Sequence, residues 1–183
     1  MSERTVKRSV AKFRTEDGVR RRGLSGTSPS AIKHIIPIRK GPWTNPRPGD
    51  GQLDTVAHCG ESLAGSFIWT LNYTDAATYW VGIRAQWNKG QEATKESVVA
   101  MRAMLPFPLL ALHPDSGGEF INWHLKDWCD AERIDLSRSE PYKKNDNMYV
   151  EERNGHVVRK YTGWERLDDP RLVPLMNELY GVL

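Results

Sequence analysis

Alternating hydrophobic and polar residues open the most regular part of the chain. Residues 52–58 alternate with the period of two that is typical of a β-strand. Residues 66–74 and 78–86 are rich in apolar, β-branched and aromatic side chains, which also favour strands. Because only short turns separate the three segments, they are predicted to form an antiparallel meander.

The spacing of hydrophobic residues becomes helical after residue 90. Val98, Met101 and Leu105 fall on one helical face, and Pro106 ends that helix. The apolar run LLAL that follows is typical of a strand buried on both faces. The elements predicted here are helix 91–104, strand 109–112, helix 119–130, a brief strand at 134–136, and helices 145–160 and 170–182. This order predicts an α/β fold with a mixed five-stranded sheet, in which three antiparallel strands precede two parallel ones, flanked by helices.

Charge divides the chain into two parts. Residues 1–40 carry eleven Lys and Arg against three acids, a net charge of +8, whereas residues 41–183 have a net charge of −5. Residues 2–13 are predicted to form a short helix, and the Pro- and Gly-rich segment 41–51 marks a boundary. We therefore predict a basic arm and linker over 1–40, followed by one folded domain over 41–183.

The charge of the basic arm indicates which kind of molecule the protein could bind. It suits a polyanion such as nucleic acid, because binding to phosphates releases counterions, although a solvated charged tail is an equally good interpretation. No run approaches the roughly 20 apolar residues of a membrane span, and the basic N-terminus lacks the apolar segment of a secretory signal. We therefore expect a cytoplasmic protein without a membrane partner, in which Cys59 and Cys129 remain reduced.

Three acids occupy unusual positions in the predicted elements. Asp54 lies in a core strand, where a carboxylate is costly unless it is paired or bound to a metal. Asp115 follows the buried strand and precedes two glycines, which leave room for a ligand. Glu151 lies on a predicted helix, one turn after Asn147. In a mixed sheet of this order the three carboxylates are predicted to converge.

The sequence segments around these acids resemble the motifs of a known family. The segments LDTVAHCG at 53–60, DSGGEFIN at 115–122 and RSEPYKKNDN at 138–147 resemble, in order, motifs of the integrase-core transposases of bacterial insertion sequences. More distantly they are similar to retroviral integrases. That superfamily carries an Asp, a second Asp and a Glu, with thirty-five residues between the last two. Thirty-five residues, 116–150, also separate Asp115 from Glu151 here.

The resemblance implies a ribonuclease H-like fold and a two-metal reaction on DNA. Two Mg²⁺ or Mn²⁺ ions, about 4 Å apart, would lie between the carboxylates. Asp54 would bridge both ions, Asp115 would hold one and Glu151 the other. Water would first free a 3′-hydroxyl at the end of the element, and that hydroxyl would then attack target DNA. The implied partners are element ends, target DNA and further copies of the chain on DNA, in a nucleoid-associated cytoplasmic protein.

The resemblance also assigns the two parts of the chain and the residues that would contact DNA. Residues 1–40 would be an arm with the remnant of a DNA-binding helix, and residues 41–183 the integrase catalytic core. Each cation near the Glu helix, taken singly, is also typical of a solvated surface, but their clustering favours DNA contact. The residues predicted to bind DNA are Lys143, Lys144, Asn147, Arg153, Arg159 and Lys160.

Four departures from the family pattern stand near the acids. Ser116 replaces the usual Asn after the second acid, and His113 and Pro114 precede that acid. Glu152 directly follows Glu151, which leaves an exchange of roles between them open. Gly155 stands where related integrases often carry a DNA-contacting Lys.

Three functions follow from this sequence. The first is a transposase or integrase core that cleaves and joins DNA. The second is a non-catalytic or truncated DNA-binding remnant of such a protein, and the third is a ribonuclease on the same fold, since a fold does not fix a function. A zinc site built from His58, Cys59, His124 and Cys129 is disfavoured, because the spacing fits no standard finger and core packing explains these residues better.

Overall fold

A computed structural model describes residues 29–41, 43–140 and 148–183 of the chain. Five strands form one sheet in the order β3-β2-β1-β4-β5. The strands β1, β2 and β3 form an antiparallel meander, whereas β4 pairs in parallel with both β1 and β5. The strands are β1 (Asp50–Ala57), β2 (Ile68–Asp75), β3 (Val81–Trp87), β4 (Ala111–Pro114) and β5 (Asp135–Leu136). The predicted mixed sheet is confirmed.

Helices cover both faces of this sheet. The long helix that follows β3 packs against β3, and the last helix of the chain packs against the same strand from the other face. The helices are α1 (Pro29–Ile35), α2 (Gln91–Arg102), α3 (Trp123–Ala131), α4 (Met148–Arg153), α5 (Lys160–Thr162) and α6 (Leu172–Tyr180), with a π-helical turn (Asn154–Arg159) joining α4 to α5. None of the helices in the described part of the chain is long and apolar enough to cross a membrane.

The larger core fills the space between the sheet and α1, α2 and α3. Burial of each large apolar side chain here contributes about 1.5–3 kcal/mol. Ile32 and Ile36, from α1 and the residue after it, belong to this core, so residues 29–36 pack directly on the sheet. The fully buried members include Leu53, Leu71, Tyr73, Val98, Met101, Leu112, Phe120 and Leu125.

A smaller core lies on the other face. Val56, Ile68 and Ile83 from the sheet pack there against Val158 and Met176. The side chain of Asn177 also fixes α6 to β3, since its Oδ1 accepts the N–H of Ala85 at 2.8 Å and its Nδ2 donates to the carbonyl of Ala85 at 3.1 Å.

Strand alternation decides which side chains face which helix. In β1, Leu53 and Thr55 point to the face covered by α2 and α3, whereas Gln52, Asp54 and Val56 point to the face covered by α4 and α6. Asp54 is paired across the strands with Asn72 of β2. The sheet therefore presents a row of polar side chains to α4.

Several predicted boundaries differ from the structure. The strand predicted at 109–112 runs over Ala111–Pro114. The helix predicted from residue 119 begins at Trp123, because the side chain of Asn122 accepts the N–H of Leu125 at 3.0 Å and caps the helix there. The predicted helix 145–160 is α-helical only in part, since its second half is the π-helical turn. The helix predicted over 2–13 lies outside the described residues, and the division at residue 40 stays a prediction.

Candidate active site

Asp54 lies in β1, and Asp115 directly follows the neighbouring parallel strand β4. Leu53 of β1 is paired with Pro114 of β4, so the next residue on each strand is an aspartate at the same end of the sheet. Asp54 is half-buried, whereas Asp115 is exposed in the turn that follows β4. The register of the sheet therefore brings together two acids that are 61 residues apart in the sequence.

The helix that carries Glu151 is anchored to the sheet by Gln52. The Gln52 side chain is buried, and its Oε1 accepts the N–H groups of Tyr149 at 3.0 Å and Val150 at 3.2 Å. The first N–H groups of a helix have no partner within the helix, so Gln52 satisfies two of them from the strand. Since Gln52 and Asp54 share a face of β1, this contact brings the start of α4 close to Asp54.

Asn154 links the same helix directly to Asp54. Its Nδ2 donates to Oδ2 of Asp54 at 2.7 Å, and its Oδ1 accepts from Nδ2 of Asn72 at 2.8 Å. Asn154 follows Glu151 by three residues, so both lie on one side of the helix. Asn154 was not among the residues predicted from the sequence, although its place one helical turn after the predicted metal acid was a signal that could have indicated it.

The pKa of Asp54 responds to burial, to hydrogen bonds and to the charges of the two other predicted acids. Burial is the largest cause that raises the pKa of Asp54, to about 6. Hydrogen bonds from the Thr55 N–H and from Asn154 lower this pKa, whereas the charges of Asp115 and Glu151 raise it. The carboxylates of Asp115 and Glu151 are therefore near enough to Asp54 to oppose its ionisation.

Asp115 is held by the turn that follows it. Its Oδ1 accepts the N–H of Gly117 at 2.9 Å, and a Cβ on Gly117 would lie only 2.9 Å from that oxygen and 2.6 Å from Oε2 of Glu119. Although Asp115 is exposed, desolvation by the surrounding protein raises the pKa of its carboxyl. The Gly117 N–H lowers that pKa, the charge of Glu119 raises it and Lys89 lowers it.

Glu119 is an acid of this region whose place the sequence analysis did not identify. It was interpreted there as the start of a helix, but α3 begins four residues later. Its buried side chain lies beside Asp115, and its Oε1 accepts hydrogen bonds from Lys89 Nζ at 2.8 Å and from Thr55 Oγ1 at 3.4 Å. Two acids, Asp115 and Glu119, therefore flank Gly117.

The donor set is chemically suited to hard divalent cations. Carboxylate oxygens are the ligands that Mg²⁺ and Mn²⁺ prefer, and a cation between Asp54, Asp115 and Glu151 would offset the repulsion that raises the pKa of Asp54. Within residues 29–41, 43–140 and 148–183, no three His, Cys, Asp or Glu side chains are grouped tightly enough to hold one metal ion as they stand.

The predicted DNA-binding residues have different surroundings. The Arg159 guanidinium donates to the carbonyls of Ala57 at 2.6 Å and Gly163 at 3.1 Å, so it clamps the π-helical turn to β1. The guanidinium of Arg153 lies 5.8 Å from the ring of Tyr79, and Lys160 is exposed. Lys143, Lys144 and Asn147 lie outside the described residues.

The comparisons with solved structures show the fold of the chain. A chain of the simian T-cell lymphotropic virus intasome in complex with PP2A regulatory subunit B56 gamma superposes with a TM-score of 0.56 at 17% identity, over 69% of this chain and 46% of that one. The HTLV-2 integrase catalytic core domain in complex with magnesium superposes with a TM-score of 0.50 at 17% identity, over 67% of this chain and 74% of that one. The protein therefore has a ribonuclease H-like, integrase-type core fold, as predicted.

Comparison at the level of sequence reaches one curated protein. The uncharacterized protein y4rM of Sinorhizobium fredii (strain NBRC 101917 / NGR234) is 33% identical over 187 residues, which cover all of this chain and 52% of y4rM. The chain thus spans about half the length of that relative. No protein-family model matches the sequence.

Proposed function

We propose that this chain is the catalytic core of a DNA transposase or integrase. In this proposal it cleaves DNA phosphodiesters and joins the freed 3′ ends to target DNA, with Asp54, Asp115 and Glu151 as the metal-binding acids. One observation carries the proposal: the register of β1 and β4 puts Asp54 beside Asp115, and hydrogen bonds from Asn154 and to Gln52 bring the helix of Glu151 to Asp54. The charge of Glu151 raises the pKa of Asp54, which favours Glu151 as the third acid.

Two bound Mg²⁺ or Mn²⁺ ions would supply charge stabilisation to the attacking and leaving oxygens of an in-line phosphoryl transfer. The contribution of the chain is to hold the carboxylates in place before DNA arrives. Asp54 is fixed by the N–H of Thr55 at 2.7 Å and by Asn154, and the helix of Glu151 is fixed by Gln52. No side chain of the protein needs to act as a nucleophile.

The proposed partners are the DNA ends of a mobile element, target DNA and further copies of this chain, which would bring two DNA ends together. The solved relatives are described as an intasome and as a magnesium complex, which supports this set of partners and metals by analogy. Such a protein would act on the nucleoid in the cytoplasm. Of the residues predicted to contact DNA, Arg153 ends α4, Arg159 ends the π-helical turn and Lys160 begins α5. All six, with Lys143, Lys144 and Asn147, stay predictions from the sequence.

The test is cleavage and joining of duplex DNA by the purified chain with Mn²⁺. We expect Asp54→Asn to abolish both reactions, because a neutral amide replaces a negatively charged metal ligand. Asp135→Asn, which removes an exposed acid from β5 at the edge of the sheet, is the matched control and should react like the unmodified chain. Activity that survives in Asp54→Asn would reject the proposed site.

Two other outcomes would select the alternative functions. Salt-sensitive DNA binding without cleavage would identify a non-catalytic remnant, and cleavage of RNA–DNA hybrids alone would identify a ribonuclease.

A further inference from the structure

A lysine that the sequence analysis did not single out lies beside the proposed metal acids. The Nζ of Lys89 is 2.8 Å from Oε1 of Glu119, and it lies 4.6 Å from the centre of the Trp69 ring. The side chain is 44% exposed, so solvent and ligands can reach the ammonium. An ammonium has three donors, and within the described residues the hydrogen bond to Glu119 is the one that Lys89 makes.

The sheet places Lys89 on the opposite side of Asp115 from Glu151. Both β1 and β3 are antiparallel to β2, so Lys89, just after β3, lies at the same end of the sheet as Asp115. Trp69 is paired with Ala57 and therefore points to the face covered by α2 and α3, whereas Asp54 points to the face of α4. A phosphate held at the carboxylates would thus have α4 on one side and Lys89 on the other.

The surroundings of Lys89 fit a phosphate-binding cation. Its ammonium lies over an indole ring and donates one hydrogen bond to a buried carboxylate, while the side chain stays 44% exposed. Lysine binds phosphate as a compact point charge, and a cation beside an acidic site compensates the repulsion between DNA and those acids. A pair that served only to neutralise Glu119 would not need its ammonium at the rim of the site.

We propose that Lys89 binds a backbone phosphate of the DNA that occupies the carboxylate site. This inference rests on the proposed function, because it takes DNA as the ligand. It assigns a role to a residue that stands outside the basic cluster around the Glu helix.

The chain contains a matched control for this arrangement. Arg102 lies 5.6 Å from the centre of the Trp128 ring, and its Nη1 is 2.7 Å from Oε2 of Glu132. It therefore repeats the combination of cation, indole and glutamate. Arg102 ends α2, a helix of twelve residues, and it lies roughly 18 Å along the helix from the end that begins near Lys89.

The experiment measures binding of the full chain to a fluorescent duplex oligonucleotide by anisotropy, in EDTA, over a range of KCl concentrations. Lys89→Gln is expected to weaken binding roughly fivefold, the size of one exposed charge pair. It should also reduce the slope of log K against log salt by about 0.9, the value for one lost phosphate contact. Lys89→Arg should retain the slope, and Arg102→Gln should leave affinity and slope unchanged.

A double variant separates phosphate binding from net charge and from folding. Lys89→Gln together with Glu119→Gln keeps the net charge of the native pair and leaves no buried carboxylate without a cation. We expect it to show the reduced slope of Lys89→Gln. A double variant with the slope of the unmodified chain, or a Lys89→Gln variant that matches Arg102→Gln, would overturn the inference alone. Failure of the unmodified chain to bind DNA would overturn the proposed function with it.

Discussion

At the scale of single residues, the candidate site depends on side chains that hold the acids as well as on the acids themselves. Asp54 would bind metal as a carboxylate, but Asn154 and the Thr55 N–H decide where its oxygens lie and how readily it ionises. Asn154 in turn is fixed by Asn72 on the neighbouring strand. Partners of this kind orient metal ligands, and their loss usually weakens metal binding without unfolding the protein.

Asn154→Ala should therefore weaken binding of Mn²⁺ about 10- to 100-fold. The variant loses the amide that fixes Oδ2 of Asp54 and the link from α4 to Asn72. Isothermal titration calorimetry with Mn²⁺ measures the change, and Asn45→Ala, which removes an exposed amide from a loop, is the control. Equal Mn²⁺ affinity in both variants would show that Asn154 does not position Asp54.

A second residue-scale prediction concerns pH. Burial, with a smaller effect of Arg159, lowers the pKa of His58 to about 4, and its Nε2 is hydrogen-bonded to Thr70 at 2.7 Å. Between that value and about 6.5 the unfolded chain binds a proton that the folded chain does not. The stability that neutral His58 contributes is therefore complete above pH ~6.5 and is lost as the pH falls towards 4.

Urea denaturation should show a free energy of unfolding roughly 1–2 kcal/mol lower near pH 5 than near pH 7 on account of His58. His58→Gln should make this dependence shallower, while His124→Gln, an exposed histidine on α3, should not. Identical pH dependence in the two variants would exclude His58 as the source.

Sequence alone predicted the three acids but not the residues around them. Asp54, Asp115 and Glu151 stand in segments that resemble the family motifs, and the spacing of Asp115 and Glu151 also matches that family. Gln52 acquires its role from Tyr149, which is 97 residues away in the sequence, and Glu119 from Lys89, which is 30 residues away. No local sequence pattern predicts such contacts. They form where β1 meets α4 and where the segments after β3 and β4 meet, so they become visible only with the fold.

At the scale of elements, the helix after Glu151 changes its winding. Six residues, Asn154–Arg159, form a π-helical turn, where the hydrophobic spacing predicted a regular α-helix. Within that turn Asn154 faces Asp54, Val158 is buried in the smaller core, and Arg159 reaches the carbonyl of Ala57. Such turns often occur at functional sites. Here the extra residue lets one short segment satisfy three contacts with the sheet.

Gly155 in this turn is not required by its backbone or its surroundings. A Cβ at that position would have no atom within 4 Å. We expect Gly155→Ala to raise the free energy of unfolding by about 0.5–1 kcal/mol, because alanine restricts the unfolded chain more than glycine does. Gly51→Ala is the matched control and should destabilise, since its Cβ would lie 2.1 Å from the Tyr73 ring. Thermal unfolding measures both, and a lower melting temperature for Gly155→Ala would contradict this account.

At the scale of the whole molecule, the hydrophobic pattern predicted the order and type of the strands well, because alternation and buried apolar runs depend on the sheet itself. It placed helix ends less well. The start of α3 depends on a side-chain cap from Asn122, and the course of the chain after Arg153 depends on contacts with β1. Residues 29–36 were predicted to be part of the arm, and in the structure Ile32 and Ile36 belong to the same core as Leu53.

The attachment of α6 has a consequence for how copies of this chain can assemble. Asn177 occupies both the N–H and the carbonyl of Ala85, as the backbone of a sixth strand would do. An extended peptide approaching the free side of β3 would therefore find these two groups already taken. Strand addition at this edge of the sheet is therefore disfavoured.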